Sequence, residues 1–570
     1  MKTQRYISLF LALLFTLFVA TSALAQGTAY HPVRGQNGIV ASSSRIASEV
    51  GVDILKKGGN AIDAAVATAF AMAVTFPTAG NIGGGGFLVY HGADGEATTF
   101  DFREKAPLAA TRPMYLDEDG NVRANSNHDG ILAVGVPGTV AGMALAHERL
   151  GSLPWRDLVQ PAVDLARNGI PITWYLHDSF KRRKASWDLY PSSAKIFLRE
   201  DGSFWQPGDT WKQPDLARTL ERIRDRGASG FYQGETAELL HEFMAANGGL
   251  ITREDLAQYE AKEREPIRGT YRGYEIVSMP PPSSGGTVLV QMLNILEGYD
   301  LGAIGHNSAL YLHLLTESMR RAFADRARYL GDPDFNENMP IERLISKEHA
   351  EKRRGTILLH AASESDPERF GEIYESDDTT HFSVVDSDGS MVSLTYTLEQ
   401  GYGSKIVVEG AGFLLNNEMG DFNAQPGVTD ESGTIGTLPN QIRPEQRMLS
   451  SMTPTVVAKD GVPLFATGTP GGRTIINTTL QTILNVVDHD MNVARAVSAP
   501  RIHHQWLPDE TDVETWGIPA DTLAQYAQRG HEVVRDTAIG QAMMVYCDPE
   551  TRVMYGAADP RAEDGGAVAW

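Results

Sequence analysis

From Phe382 apolar and polar side chains alternate with the period of two of a β-strand, and a return strand runs through Met391 to Thr397. Asp388-Gly389 between them supplies turn chemistry, so the stretch predicts a hairpin with Thr379-Thr380 at its mouth. Near the other end of the chain the period changes. Ile46, Val50 and Ile54 recur at helical spacing and stop at Gly58-Gly59, which can provide a left-handed C-cap. Asn60 is placed to cap the next helix, Ala61 to about Val74, with Asp63 in its first turn at the positive end of the dipole. That helix is apolar on nearly all sides, which predicts a place inside a layered protein. Asn81 to Gly86 then precedes an apolar strand, Phe87 to Tyr90. Its glycines read as structural, allowing close backbone approach, because a phosphate cradle would need a following Lys-Ser/Thr and a helix.

Leu158 to Asn168 and Asn307 to Tyr329 read as helices, while Met279-Pro280-Pro281-Pro282-Ser283-Ser284-Gly285-Gly286 reads as irregular. That loop is short and apolar, and fits either an interdomain linker or a buried, site-lining segment. Beyond Thr379 short strands and Gly-rich turns dominate, including Gly468-Thr469-Pro470-Gly471-Gly472. Helices and hairpins mixed along one chain predict layered sheets with helices outside.

Composition changes this picture in a few places. The 570 residues exceed the usual single domain, so two domains or one large sandwich of layers both fit. A net charge of −22 with no strong basic block argues against nucleic-acid binding. At the amino terminus Lys2 and Arg5, the apolar run Ile7 to Ala20 and the small-x-small Ala23-Leu24-Ala25 have the form of a signal peptide cleaved before Gln26, with an uncleaved anchor as the alternative. The expected location is therefore periplasmic or secreted. Cys547 is the only cysteine, which rules out an intrachain disulfide, and its apolar flanks favour burial over reactivity.

Several chemistries are absent as motifs: Gly-x-Ser-x-Gly, His-Glu-x-x-His, a Walker loop and Cys-x-x-Cys. His503-His504 is the best metal candidate. Adjacent residues on an extended strand face opposite ways, however, so a structural role is expected and no metal or cofactor is assigned. Thr379-Thr380 offers a different chemistry. A terminal threonine carries its own base, an α-amine titrating near ~8 that can take the hydroxyl proton. Read alone, the pair also fits β-branched residues that simply favour a strand.

A set of ordered motifs then decides between these readings. They are Gly58-Gly59-Asn60-Ala61-Ile62-Asp63-Ala64-Ala65, Gly83-Gly84-Gly85-Gly86-Phe87, Asp101-Phe102-Arg103-Glu104, Pro280 to Gly286, Gly331-Asp332-Pro333, Thr379-Thr380-His381, Leu449-Ser450-Ser451-Met452, Thr469-Pro470-Gly471-Gly472 and Asp559-Pro560-Arg561. With them the chain resembles the γ-glutamyltransferases, self-processing members of the N-terminal-nucleophile hydrolases. The resemblance implies an α+β fold, a four-layer αββα sandwich, and a cut between Asp378 and Thr379. Large and small subunits, about Gln26 to Asp378 and Thr379 to Trp570, would form one such unit and stay together as a heterodimer.

It also implies roles. Thr379 resembles the nucleophile and Thr397 the hydroxyl that orients it, while Gly471 and Gly472 would offer N–H donors to the oxyanion. Arg103, helped by Ser450 and Ser451, would hold the α-carboxylate of a γ-glutamyl group, and Asp421 with Glu418 its α-ammonium. Outside that context Arg103 with Asp101 and Glu104 would read as a surface ion-pair cluster. Two departures stand out. Glu399 occupies a place where many glutathione-acting members have Asn, and could bind the ammonium or shift its neighbours' pKa values. The lid-like stretch from about Gln425 to Arg447 has Ser432-Gly433 where some bacterial relatives place an aromatic. The expected substrates are glutathione and other γ-glutamyl compounds, with water, amino acids or dipeptides as acceptors. The rivals are a glutaryl or cephalosporin acylase of the same family and an unprocessed γ-glutamyl-peptide-binding homologue.

Overall fold

The computed structural model describes residues 30–123, 125–366, 379–425, 427 and 437–570. The segment read as an export signal, Asp378, and Ser432-Gly433 of the lid-like stretch lie outside the described residues.

Two seven-stranded antiparallel sheets stack face to face at the centre. One runs in the order Gly566–Ala569, Ile39–Ser42, Thr379–Val385, Met391–Thr397, Gly85–His91, Ala97–Phe102, Lys262–Arg264. The other runs Val33–Gly35, Met554–Ala558, Met543–Cys547, Val462–Gly468, Thr455–Lys459, Tyr274–Ser278, Ile267–Tyr271. Each sheet has its own outer helical layer. Arg45–Lys56 and Ala61–Thr75 cover the first through Val40, Leu88, Phe382, Val384 and Leu394, while Gly285–Leu296, Ala309–Tyr329 and Thr474–Val487 cover the second through Ile276, Val457, Phe465 and Met544. The fold is thus α+β, with helices, sheet, sheet and helices in four layers.

The elements form for the expected local reasons. Asn60 and Asp63 close a reciprocal capping box on Ala61–Thr75, and all fifteen residues of that helix are buried. Asn307 adopts a left-handed backbone and Ser308 caps the following helix, so it begins at Ala309 rather than Asn307. The helix expected from Leu158 begins earlier, at Trp155, and carries Pro161 inside it. Met279 to Ser284 is a buried loop, not a linker, and Gly285-Gly286 already belong to the helix that follows. The glycines before Gly85–His91 serve close approach: a Cβ on Gly84 would lie 2.0 Å from the Thr397 carbonyl oxygen.

The hairpin is Thr379–Val385 and Met391–Thr397, in register from Thr379 opposite Thr397 to Val385 opposite Met391. Its alternating polar residues face the second sheet, not solvent. There His381 bonds Thr395 Oγ1 (2.8 Å) and Ser383 Oγ (2.9 Å), Ser393 Oγ donates to the Thr467 carbonyl (3.0 Å), and the Thr455 N–H donates to Ser393 Oγ (2.9 Å). Burial pushes the His381 imidazole down to about 3, so it is neutral and joins the two strands of its own hairpin.

Candidate active site

The strand register delivers Thr379 and Thr397 to the same end of the hairpin, side by side. Their hydroxyl oxygens are 3.4 Å apart, and Thr397 Oγ1 accepts the N–H of Glu399 at 2.8 Å. That N–H is aimed by an unusual backbone. Glu399 has φ +81°, a conformation that costs a non-glycine residue about 1–3 kcal/mol and tends to persist at functional sites.

Across from the threonines, Gly471 (φ +125°) and Gly472 (φ +53°) form a turn before the helix Thr474–Val487. A Cβ on Gly471 would meet Thr474 Oγ1 at 2.3 Å, so only glycine fits. Among the described residues neither N–H is taken by a protein acceptor, and both precede the positive end of a buried helix.

The third wall is a cluster of charges brought from three segments. Asn416 rivets the Glu418–Asp421 turn in place: its Oδ1 accepts the N–H groups of Gly135 and Glu418, and its Nδ2 donates to the carbonyls of Gly83 and Gly135. Arg103 leaves the end of Ala97–Phe102, and its guanidinium donates to Glu418, to Asp421 and to the Met448 carbonyl (3.3 Å). The surface ion-pair reading of Asp101, Arg103 and Glu104 fails, since all three are fully buried. Ser450 and Ser451 arrive from the loop that pairs with Ser283-Ser284. Behind them Arg326 donates to Ser451 Oγ (2.9 Å) and Ser284 Oγ (2.6 Å).

Thr379, Thr397, Arg103, Glu399, Glu418, Asp421, Ser450, Ser451 and Gly472 line one recess. Gly471 lines a neighbouring recess of about 280 Å³, with Thr379, Tyr175 and Gln541. Thr379 therefore stands on the border of both. Sequence reasoning missed Glu104, His128 and Arg326 as parts of this site. Burial pushes the Glu104 carboxyl up to about 7 against the pull of Arg103, and lifts Glu418 well above the carboxylate range with help from Glu104 and Glu399.

His503 and His504 are both buried, and burial pushes them down to about 3 and about 4. His503 bonds Asn477 and Gln505, and His504 accepts the Trp506 N–H, which is the expected structural role. A different group, His313, Glu317 and His531, brings ligating atoms within 4.8 Å of one another. The Glu317 carboxylate is already engaged by Arg320, Arg321 and Ser363, and a divalent ion beside two guanidiniums would be repelled. The group instead pins the 356–365 stretch, with His313 on the Leu358 carbonyl and Arg320 on Ser365. Cys547 is buried, and burial raises its thiol.

Comparison with known proteins is in line with this geometry. Residues 47–569 match the family described as Gamma-glutamyltranspeptidase. A glutathione hydrolase proenzyme of Escherichia coli (strain K12) is 47% identical over 537 residues, covering 94% of this chain and 92% of that protein. Among solved structures, cephalosporin acylase from Bacillus halodurans has a TM-score of 0.84 at 29% identity, covering 96% of this chain and 98% of its own. The gamma-glutamyltranspeptidase of Helicobacter pylori has a TM-score of 0.56 at 49% identity, covering 56% of this chain and 92% of its own.

Proposed function

The chain belongs to the gamma-glutamyltranspeptidase family, and from that premise we propose how its residues divide the work of γ-glutamyl transfer. The protein is a glutathione hydrolase and γ-glutamyltransferase made as a proenzyme and processed into two subunits. The cut falls between Asp378 and Thr379, giving a large subunit from Gln26 and a small one from Thr379 to Trp570. In the mature enzyme the Thr379 α-amine takes the hydroxyl proton as Oγ1 attacks the γ-carbonyl. Thr397 orients that hydroxyl. The N–H groups of Gly471 and Gly472 receive the oxyanion, each donor of this kind contributing about 3 kcal/mol. Collapse expels the amine and leaves a γ-glutamyl ester on Thr379, which water or the amine of an amino acid or dipeptide then attacks.

Recognition falls to the charged wall. Arg103, Ser450 and Ser451 take the donor's α-carboxylate, and Asp421 with Glu399 and Glu418 its α-ammonium. Arg103 is already paired with Glu418 and Asp421, so the zwitterionic head exchanges one set of ion pairs for another and no charge is left bare. The neighbouring recess gives the leaving amine and the acceptor room beside Thr379. The amino-terminal segment suits export, and among the described residues no helix is long and apolar enough to cross a membrane.

The observation that carries this reading is the single recess in which residues from 103 to 472 meet around Thr379. Likeness to a cephalosporin acylase keeps the glutaryl reading as the competitor. The acid pair weighs against it, because a glutaryl group has no ammonium to meet it. Purified mature enzyme should turn over γ-glutamyl-4-nitroanilide and leave glutaryl-4-nitroanilide nearly untouched. Turnover of the glutaryl compound alone would overturn the assignment.

A further inference from the structure

His128 comes from an irregular loop with no motif in it, yet it is 2% exposed and lies against the charged wall. Its Nδ1 is 3.0 Å from Glu399 Oε1. The placement is built from both sides. On its own loop the His128 N–H donates to the Asn125 carbonyl (3.0 Å), and Asn125 has φ +61° to make that turn. From the clamp, Asn417 Nδ2 donates to the His128 carbonyl at 3.0 Å, while a Cβ on Gly420 would fall 2.2 Å from Nδ1. Glycine at 420 thus makes room for the ring against the Glu418–Asp421 turn. Glu399 is therefore held twice: its left-handed backbone gives its N–H to Thr397, and its carboxylate goes to His128.

We propose that His128 is a positioning residue that holds the Glu399 carboxylate toward the donor's α-ammonium and sets how much of its charge the donor meets. This rests on the reading that Glu399 is one of the ammonium's partners. The charged groups around the imidazole are Glu399 from the end of its strand, Asp421 and Glu418 from the facing turn, Asp129 from its own loop, and Arg103 beyond the turn. Burial opposes a charge on the ring, but the hydrogen bond to Glu399 and the charges of Glu399, Asp421 and Asp129 outweigh it, raising His128 above its ordinary value.

The sign follows. While His128 is protonated it offsets Glu399, and the donor's ammonium meets less negative charge. When the proton leaves, an Nδ1–H tautomer keeps the carboxylate in place and its full charge reaches the donor. KM for γ-glutamyl-4-nitroanilide therefore falls as pH rises through the His128 titration, while kcat follows only the Thr379 α-amine, titrating near ~8, and keeps the same pH profile in the His128 variants.

The test is a double-mutant cycle on matured enzyme, with KM and kcat for γ-glutamyl-4-nitroanilide measured from pH 6 to 9. Glu399→Gln alone should raise KM about tenfold, the scale of one charge-assisted bond. If its KM is unchanged, the ammonium assignment of Glu399 is wrong. His128→Asn, whose amide can stand where Nδ1 stands, should keep a low KM and lose its pH dependence. His128→Ala should raise KM at every pH with little change in kcat. In the Glu399→Gln background neither His128 variant should change KM further. A raised KM in Glu399→Gln with a wild-type KM and pH profile in His128→Asn would overturn the positioning role alone. Should His128→Ala fail to mature, the pH profile of His128→Asn decides.

Discussion

Glu104 is a carboxylic acid sealed beneath the clamp, fully buried beside Arg103, and burial pushes it up to about 7. A carboxyl whose folded value lies above its unfolded one binds its proton more tightly in the folded state. Its stabilising contribution is complete below the unfolded value and is lost as pH rises through about 7. Glu104→Gln keeps the shape and stays neutral, so it should not suffer that loss. Relative to the variant, the wild type should lose roughly 3 kcal/mol between acid and neutral pH, read from urea unfolding at pH 4.5 and 7.5. Parallel profiles would contradict the buried-acid account. At this scale the resemblance carried by the sequence motifs reached most of the site: Thr379, Thr397, Arg103, Asp421, Ser450 and Gly472 were each assigned through it and meet in one recess. Glu104, His128 and Arg326 were not, for a physical reason. His128 and Arg326 gain their meaning from partners far along the chain, Glu399 lying 271 residues beyond His128 and Ser451 125 beyond Arg326, while Glu104, next to Arg103 in sequence, shows its role only through its burial.

Short polar devices, more than long elements, hold the site at the level of secondary structure. The hairpin was legible from its period and its Asp-Gly turn, and Asp386 reinforces that turn by accepting the N–H groups of Gly389 and Ser390. The fate of its polar face was not legible, because alternation gives the same signal whether the second face meets water or another sheet. The Glu418–Asp421 turn depends in the same way on Asn416, whose side chain satisfies donors and acceptors from two other segments. Asn416→Ala leaves several buried backbone groups without partners, each costing about 1–3 kcal/mol. The variant should lose about 3 kcal/mol in urea unfolding, and its KM for the donor should rise more than tenfold as the turn loosens. A variant of wild-type stability and KM would show that the turn is held by other contacts.

The whole molecule is one interleaved unit. Ile39–Ser42 pairs on one side with Thr379–Val385 and on the other with Gly566–Ala569, so residues before and after the cut share both sheets. Periodicity along the chain gave layered sheets with helices outside, but strand order arises from pairings hundreds of residues apart that no local pattern encodes. The interleaving explains how a chain with one buried cysteine can be divided and remain assembled: separating the parts would tear both sheets and the apolar core between them. The proposed cut before Thr379 would also have a purpose, since breaking that bond creates the α-amine that the proposed nucleophile would use as its base. Intact mass spectrometry of incubated wild type and Thr379→Ala tests this most directly. The account predicts two wild-type chains, the lighter beginning at Thr379 and ending at Trp570, and a single undivided, inactive chain for the variant. A lighter chain that begins elsewhere, or a Thr379→Ala protein that still divides and turns over donor, would contradict it.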